Sequence, residues 1–360
     1  MTARLDHTVR LSRPADFIAI VPYMLGFHPE RSIVAMAFEP GHDPDSGARG
    51  LRVSVRVDLP EDSEDSPEMA RHFAELLTRH DIGRVLLIGY GPGWHVTPAM
   101  DAVCGKLSDA DIEVIDALRV EGGRYWSYSC RDPECCPPHG TAYDATGNPA
   151  AAAAVFAGYV ARPDRAALVA TLAPVGGPDR EQVTAATRAV CTQVRSTLAR
   201  DGGQGWYQEG LTQVGAALDK VKAGQDLPPD MVAWLGVLLT SIIVRDGAMT
   251  FIGRYDNDTH IRLWTELTCR VEPEFAAAPA ALLAFVALRT GDGPLARVAV
   301  ERSLSADGDY RLARLVQLAL NHGLPPEVTS GIDHAGMAEE ISAQAAQYPA
   351  GTRPVLPEGW

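Results

Sequence analysis

The chain has 360 residues, 46% of them apolar and 22% charged, with acidic side chains exceeding basic ones by 14. That length exceeds what one core usually supports, so two domains are expected, and the composition excludes a disordered protein. The basic residues are scattered and lysine occurs only at Lys106, Lys220 and Lys222; with no footprint for a phosphate backbone, nucleic acid and anionic membrane are poor partners, which leaves a protein or a small molecule.

Residues 1–17 carry Arg4, Asp6, Arg10, Arg13 and Asp16 and have no apolar signal-type stretch. The apolar run 231–244 stops short of the ~20 residues that span a bilayer. The expected compartment is the cytoplasm, where thiols are free or metal-bound rather than paired in structural disulfides.

Ser12 followed by Pro14 reads as a helix start, interrupted at Pro22. Residues 33–38 and 51–57 read as strands, the second alternating Val53, Val55 and Val57 with Arg52, Ser54 and Arg56, and 39–50 as a loop between them. A helix from Ser66-Pro67, a buried strand at 85–88, a helix from Thr97-Pro98 and a strand at 112–120 follow. Gly122-Gly123 then suits a two-residue hairpin into a strand at 125–128. This order implies a mixed sheet flanked by helices, an α/β domain over residues 1–147.

From Asn148-Pro149 onward the apolar period is helical. Helices are expected at 150–160, from Pro163, and at 179–200, 206–221, 229–245, 260–270, 276–289, 295–303 and 310–321, so residues 148–327 form an all-α domain. Residues 282–319 have the spacing of one tetratricopeptide-like helix pair, read as helical packing because one unit is not an array. Residues 328–360, an Ala-rich helix and a Pro/Gly tail, are expected to be weakly structured.

The chemically densest stretch runs from Tyr125 to Gly140 and contains Cys130, Cys135, Cys136 and His139. Three thiolates and an imidazole make the donor set of a tetrahedral zinc site. Two features oppose it: neighbouring residues 135 and 136 project apart unless the backbone bends, and Pro137-Pro138 offer no N–H to a coordinated sulfur. Packing of buried thiols is therefore placed first, a metal second and a reactive thiol third. Gly89-Tyr90-Gly91-Pro92-Gly93 lies between a strand and a helix, as a phosphate loop would, but lacks the glycine spacing and reads as a plain turn. Arg56 and Asp58 share one face of their strand, and Asp256-Asn257-Asp258 reads as a helix cap rather than a calcium loop.

Several stretches together resemble an actinobacterial family of uncharacterised proteins, domain of unknown function 4192. They are Leu11-Ser12-Arg13-Pro14-Ala15-Asp16, Leu25-Gly26-Phe27-His28-Pro29-Glu30, Arg56-Val57-Asp58-Leu59-Pro60, Cys135-Cys136-Pro137-Pro138-His139-Gly140, Val244-Arg245-Asp246, Leu263-Trp264, and Leu282-Leu283-Ala284-Phe285 with Gly291-Asp292-Gly293. The resemblance extends to about residue 327 and implies no activity, substrate or cofactor. Members of that family often have Glu where His139 stands, which implies that an imidazole is not obligatory there. The binding candidates are Arg56, Asp58, Arg245 and Asp246, and the metal candidates Cys130, Cys135, Cys136 and His139. The expected function is a binding or interaction module with its site near the domain junction. The rival is a metal-assisted or thiol-dependent hydrolase that uses one of these cysteines with Asp58 or Asp132.

Overall fold

The computed structural model describes residues 11–38, 51–80, 82–201, 205–329 and 331–360, without the side chains of 51–53 and 201; the expected 39–50 loop lies outside the described residues. The chain divides into two compact units, Met1–Ala167 and Leu168–Trp360.

The first unit is organised by a mixed sheet of β1 (Ser32–Phe38), β2 (Leu51–Asp58), β3 (Arg84–Tyr90), β4 (Glu113–Glu121), β5 (Arg124–Ser127) and the two-residue β6 (Thr141–Ala142). Their spatial order is β2-β1-β3-β4-β5-β6. β1 is antiparallel to both neighbours, β3 and β4 are parallel, and β4, β5 and β6 alternate in direction. All seven residues of β1 are buried, as suits an apolar run flanked by strands on both sides and covered on both faces. Glu121 pairs with Arg124 across Gly122 and Gly123, both left-handed (φ 57° and 73°), which makes the expected two-residue hairpin.

Two helices, α2 (Ser66–Arg79) and α3 (Gly93–Asp109), cover one face of the sheet. Phe73, Leu77, Val96, Met100 and Val103 meet Ile33, Ala35, Val85, Leu87 and Ala117 there. On the other face lies α1 (Pro14–Leu25), whose Phe17 ring meets Phe38 edge-on at 6.2 Å. Beside α1 packs α4 (Pro149–Phe156), capped by the expected Asn148.

Two helix starts differ from expectation. Ser12 does not cap α1: Asp16, one turn in, accepts from the Ser12 and Arg13 backbone N–H groups at 3.2 and 3.1 Å, and the helix continues through buried Pro22 to Leu25. The start of α3 is Gly93, four residues before Thr97, so Pro98 lies inside the helix. The N–H that Pro98 lacks would have served the carbonyl of Trp94, an exposed residue of the first turn.

After α5 (Arg165–Ala170), the second unit contains α6 (Gly177–Asp201), α7 (Trp206–Lys222), α8 (Pro229–Leu238), α9 (Ile242–Met249), α10 (Asn257–Arg270), α11 (Ala277–Arg289), α12 (Gly293–Ala306), α13 (Arg311–Asn321) and α14 (His334–Gln347). The single helix expected at 229–245 is two, α8 and α9, bent by 110°. Ser241 causes the break, its hydroxyl accepting the Val244 N–H as the cap of a new helix. Asp256 caps α10 as expected. The centre of this unit is α11, buried from Ala277 to Leu288 and packed by α10, α12 and α13. Arg270 ties α10 to α6 through two bonds to Asp179 at 2.7 and 2.9 Å, and it also reaches Glu266 and the Leu227 carbonyl. Beyond residue 327, α14 packs on α9 and the Trp360 ring meets Phe275 edge-on at 5.6 Å. Among the described residues, no single helix is long and apolar enough to cross a membrane.

Candidate functional sites in the first unit

The cysteine corner is the chain between β5 and β6. Both of its flanks are tied down. Ser127 Oγ donates to Asp116 Oδ1 at 2.8 Å and accepts the Ser129 and Cys130 N–H groups at 3.1 and 3.0 Å. On the return side Trp126 Nε1 donates to the Pro138 carbonyl at 3.0 Å, and Arg124 donates to the Gly140 carbonyl at 2.8 Å. Gly140 is left-handed at φ 78°, and a Cβ on it would lie 2.6 Å from the Trp126 ring, so only glycine fits this close approach. The Arg119 guanidinium lies over that indole, 3.7 Å from the ring centre.

Inside these flanks the backbone does bend. The Cys136 N–H bonds back to the Asp132 carbonyl at 2.7 Å, and Glu134 N–H bonds to Asp132 Oδ1 at 2.9 Å. The turn brings Cys135 and Cys136 Sγ to 4.0 Å of each other and all three Sγ atoms, with Cys130, within 4.8 Å. His139 is exposed and is not part of the cluster. Packing of buried thiols, the reading placed first from sequence, is overturned: Cys135 is exposed and Cys130 and Cys136 are only partly covered. The Asp132 backbone N–H holds the Cys130 thiol below the ordinary thiol range, with Cys136 and Cys135 adding to it. Cys136 is pushed up to about 12 by burial and by its two thiol neighbours.

A second concave place lies on the α1 face, at the carboxyl ends of β3 and β4, the parallel pair. It is a cavity of about 360 Å³ whose polar lining includes His28, Glu30, Arg31, Tyr90, Glu121 and Tyr143. Its wall from 26 to 31 is fixed at several points: Arg162 bonds the Gly26 carbonyl and His28 N–H, and the Arg31 carbonyl accepts Leu59 N–H at 2.8 Å. Arg31 is held left-handed (φ 41°), a conformation rare outside glycine. The Tyr90 hydroxyl is buried and has no hydrogen-bond partner among the described residues, and neither has the hydroxyl of its cross-strand neighbour Ser32. Burial lifts the Tyr90 phenol well above its ordinary value, so it stays protonated and can donate. Tyr143 in turn contacts Tyr125, ring centres 6.4 Å apart, and burial first, with smaller contributions from Cys136 and Cys135, raises the Tyr125 phenol above its ordinary value.

The four binding candidates form two pairs, one in each unit. Arg56 sits under cover on β2, bonds exposed Asp58 at 2.5 Å, reaches the Glu30 carbonyl at 3.4 Å and lies 5.4 Å from the Phe27 ring centre. Its Nε is buried without a hydrogen-bond partner among the described residues. Four strand spacings, ~19 Å, separate β2 from β5, so Asp58 cannot share a reaction centre with the cysteine corner. Arg245 is buried on α9, donating from Nε to Asp246 at 2.8 Å with its guanidinium 5.4 Å from the Tyr310 ring centre; this pair fastens α9 to the start of α13. In the glycine turn Gly91 is left-handed (φ 140°) and bonds the Val120 carbonyl, while a Cβ at Gly89 would lie 2.4 Å from Val96, so its glycines serve a turn and a close helix approach. Sequence reasoning missed Tyr90, Tyr143 and the strained Arg31. The available signal was a tyrosine ending an apolar strand just before a Gly-Pro-Gly turn.

Together these features define a two-unit protein, a mixed sheet flanked by helices followed by a helical unit, with a thiol corner and a sheet-end cavity on the first. The model of the family described as domain of unknown function DUF4192 matches residues 14–327, and the chain belongs to that family. No curated protein and no solved structure matches the chain.

Proposed function

We propose that the protein is a binding module whose first unit holds a small polar ligand in the cavity at the carboxyl ends of β3 and β4. The reading moves the site from the domain junction, expected from sequence, to the sheet end. One observation carries it: residues from separate segments, His28, Glu30, Arg31, Tyr90, Glu121 and Tyr143, converge on one concavity of about 360 Å³. Ligands of open α/β sheets bind outside the carboxyl ends of parallel strands, and pockets use a few convergent polar groups on a mostly apolar lining. Ile18, Pro22 and Val120 supply apolar lining here. The mixture of Arg31 and His28 with Glu30 and Glu121 suits a ligand bearing both donors and acceptors better than a simple anion.

The test is retention. Purified chain is incubated with a small-molecule extract and desalted, and what it keeps is released by denaturation and identified by mass spectrometry. The expected result is one compound retained by the native chain and lost when Ala145, on the cavity wall, is replaced by Trp. Equal retention by the filled variant, or nothing retained above a control protein, would sink the reading.

A further inference from the structure

We propose that Cys130, Cys135 and Cys136 form a three-thiolate site for a thiophilic d10 cation, zinc being the reference ion, with the fourth position open to solvent. The inference is independent of the sheet-end cavity and goes beyond it.

Three thiols that face one another at a surface call for a physical cause. Cysteine normally behaves as a small apolar residue and is buried. Here the corner has no core to hide in, since Cys135 is exposed and residues 131–135 are exposed throughout. A disulfide does not explain the arrangement either, because all three are free and the adjacent pair stands 4.0 Å apart, about twice an S–S bond. A shared cation does. Zn–S bonds of ~2.3 Å at a tetrahedral angle put coordinated sulfurs ~3.8 Å apart, and planar three-fold coordination puts them ~4.0 Å apart. The three sulfurs, all within 4.8 Å, are a few tenths of an ångström to one ångström from that spacing without any ion.

The surroundings fit the same chemistry. Coordinated sulfur is stabilised by a backbone N–H, and that of Asp132 serves Cys130, although prolines follow Cys136. Asp132 and Glu134 place carboxylates in the same loop as the thiols, with Arg131 offsetting one of them, so the cation is drawn by the sulfurs rather than by a net acidic surface. The scaffold is tied to β4 and β5 by the Ser127, Trp126 and Arg124 bonds, so the thiols are largely gathered before an ion arrives. His139, the fourth ligand suggested by sequence, stands outside the cluster, and the resulting three-ligand site is of the kind that keeps an open coordination position.

The experiment uses the untagged full chain, reduced, stripped with chelator and titrated with Zn²⁺. One zinc per chain is expected. Cobalt substitution should give sulfur-to-cobalt charge-transfer absorption, and the bound zinc should shield Cys130, Cys135 and Cys136 from alkylation, read by peptide mass spectrometry, while leaving Cys104, Cys191 and Cys269 unaffected. Cys130→Ser and Cys136→Ser should each weaken binding by on the order of a hundredfold or more, and His139→Ala should keep the full stoichiometry. The shielding measurement needs no variant, so it decides the matter even if a serine variant misfolds. Absence of zinc binding, binding unchanged in both serine variants, or a Cys135–Cys136 disulfide in the metal-free chain that persists under mild reductant would each overturn the site.

Discussion

Two concave places on the first unit make an instructive pair. The open cleft between α2 and α3 and the sheet-end cavity are of similar size, about 400 Å³ and about 360 Å³. Size is a poor guide. In the α2/α3 cleft every charged lining residue answers another one: Arg71 bonds Glu75 at 2.7 Å, Arg79 approaches Glu75 at 3.8 Å, and Lys106 bonds Asp109 at 2.9 Å. The sheet-end cavity is lined by a tyrosine whose hydroxyl is buried without a protein partner, beside a left-handed arginine. A buried polar group that the protein leaves unpaired has hydrogen-bonding capacity to offer a ligand or a water. A surface cleft of self-satisfied ion pairs asks for no further explanation.

The largest expected effect comes from breaking the cavity's support. Ile18 and Pro22 of its lining belong to α1. That helix is held by Asp16, which accepts from Ser12 N–H, Arg13 N–H, the Arg13 guanidinium and, at 3.0 Å, Asn148 Nδ2, the residue that also caps α4. Asp16→Ala should cost about 3 kcal/mol, since hydrogen bonds to a charged group are the strong ones and Asn148 would be left buried and half-satisfied. It should also abolish ligand retention. Burial raises the Asp16 pKa, but the hydrogen bonds from Asn148, Ser12 and Arg13 outweigh it and carry the group below its ordinary 3.8. The unfolded chain therefore binds the proton more readily, so the Asp16 contribution is complete above pH ~4 and is lost as pH falls through the lowered folded value. Acid unfolding followed by circular dichroism should show the D16A chain losing less between pH 5 and 2 than the wild type, within roughly that window. Parallel acid profiles would show that Asp16 is not the clasp.

How far the sequence foretold this contrast depends on the range of the interactions. Strand order along the chain, the Gly122-Gly123 hairpin and the caps at Asn148 and Asp256 were legible because each is a local signal, settled within a few residues. The Asp16–Asn148 clasp spans 132 positions, and no local pattern announces it. The same holds for Arg270 with Asp179, 91 apart. The cysteine corner was half legible. Residue types named the chemistry, but whether Cys135 and Cys136 converge depends on the Asp132 turn, and whether the thiols are buried depends on packing that the sequence does not state. Helix ends were misread where proline was taken as a boundary, at Pro22 and Pro98, because an interior proline is tolerated when the carbonyl it strands can be served otherwise.

The next effect tests the unpaired hydroxyl itself. Tyr90→Phe removes a buried donor that meets no protein acceptor, keeping the ring and its packing. The ligand-free chain should become more stable by ~1 kcal/mol, a rise of ~2–4 °C in the melting temperature of the first unit. Retention of ligand should fall at the same time. This opposition of signs separates a functional hydroxyl from a structural one: a loss of stability on removing the oxygen would mean that the fold already satisfies it, and the contrast between the two clefts would collapse.

The smallest effect belongs to the α2/α3 cleft. Glu75→Ala severs both arginine contacts there, to Arg71 and Arg79, yet all three side chains are about half exposed (42–52%). Water solvates each charge about as well as its partner does, and two long side chains regain rotamer freedom when released, so the cost should be no more than about 0.5 kcal/mol and should shrink further in salt. Ligand retention should not change. The measurement is a denaturant melt of E75A at low and high ionic strength beside D16A. If E75A lost as much as D16A, the paired charges of the α2/α3 cleft would be holding the unit together, and self-satisfaction would no longer distinguish an idle cleft from a working one.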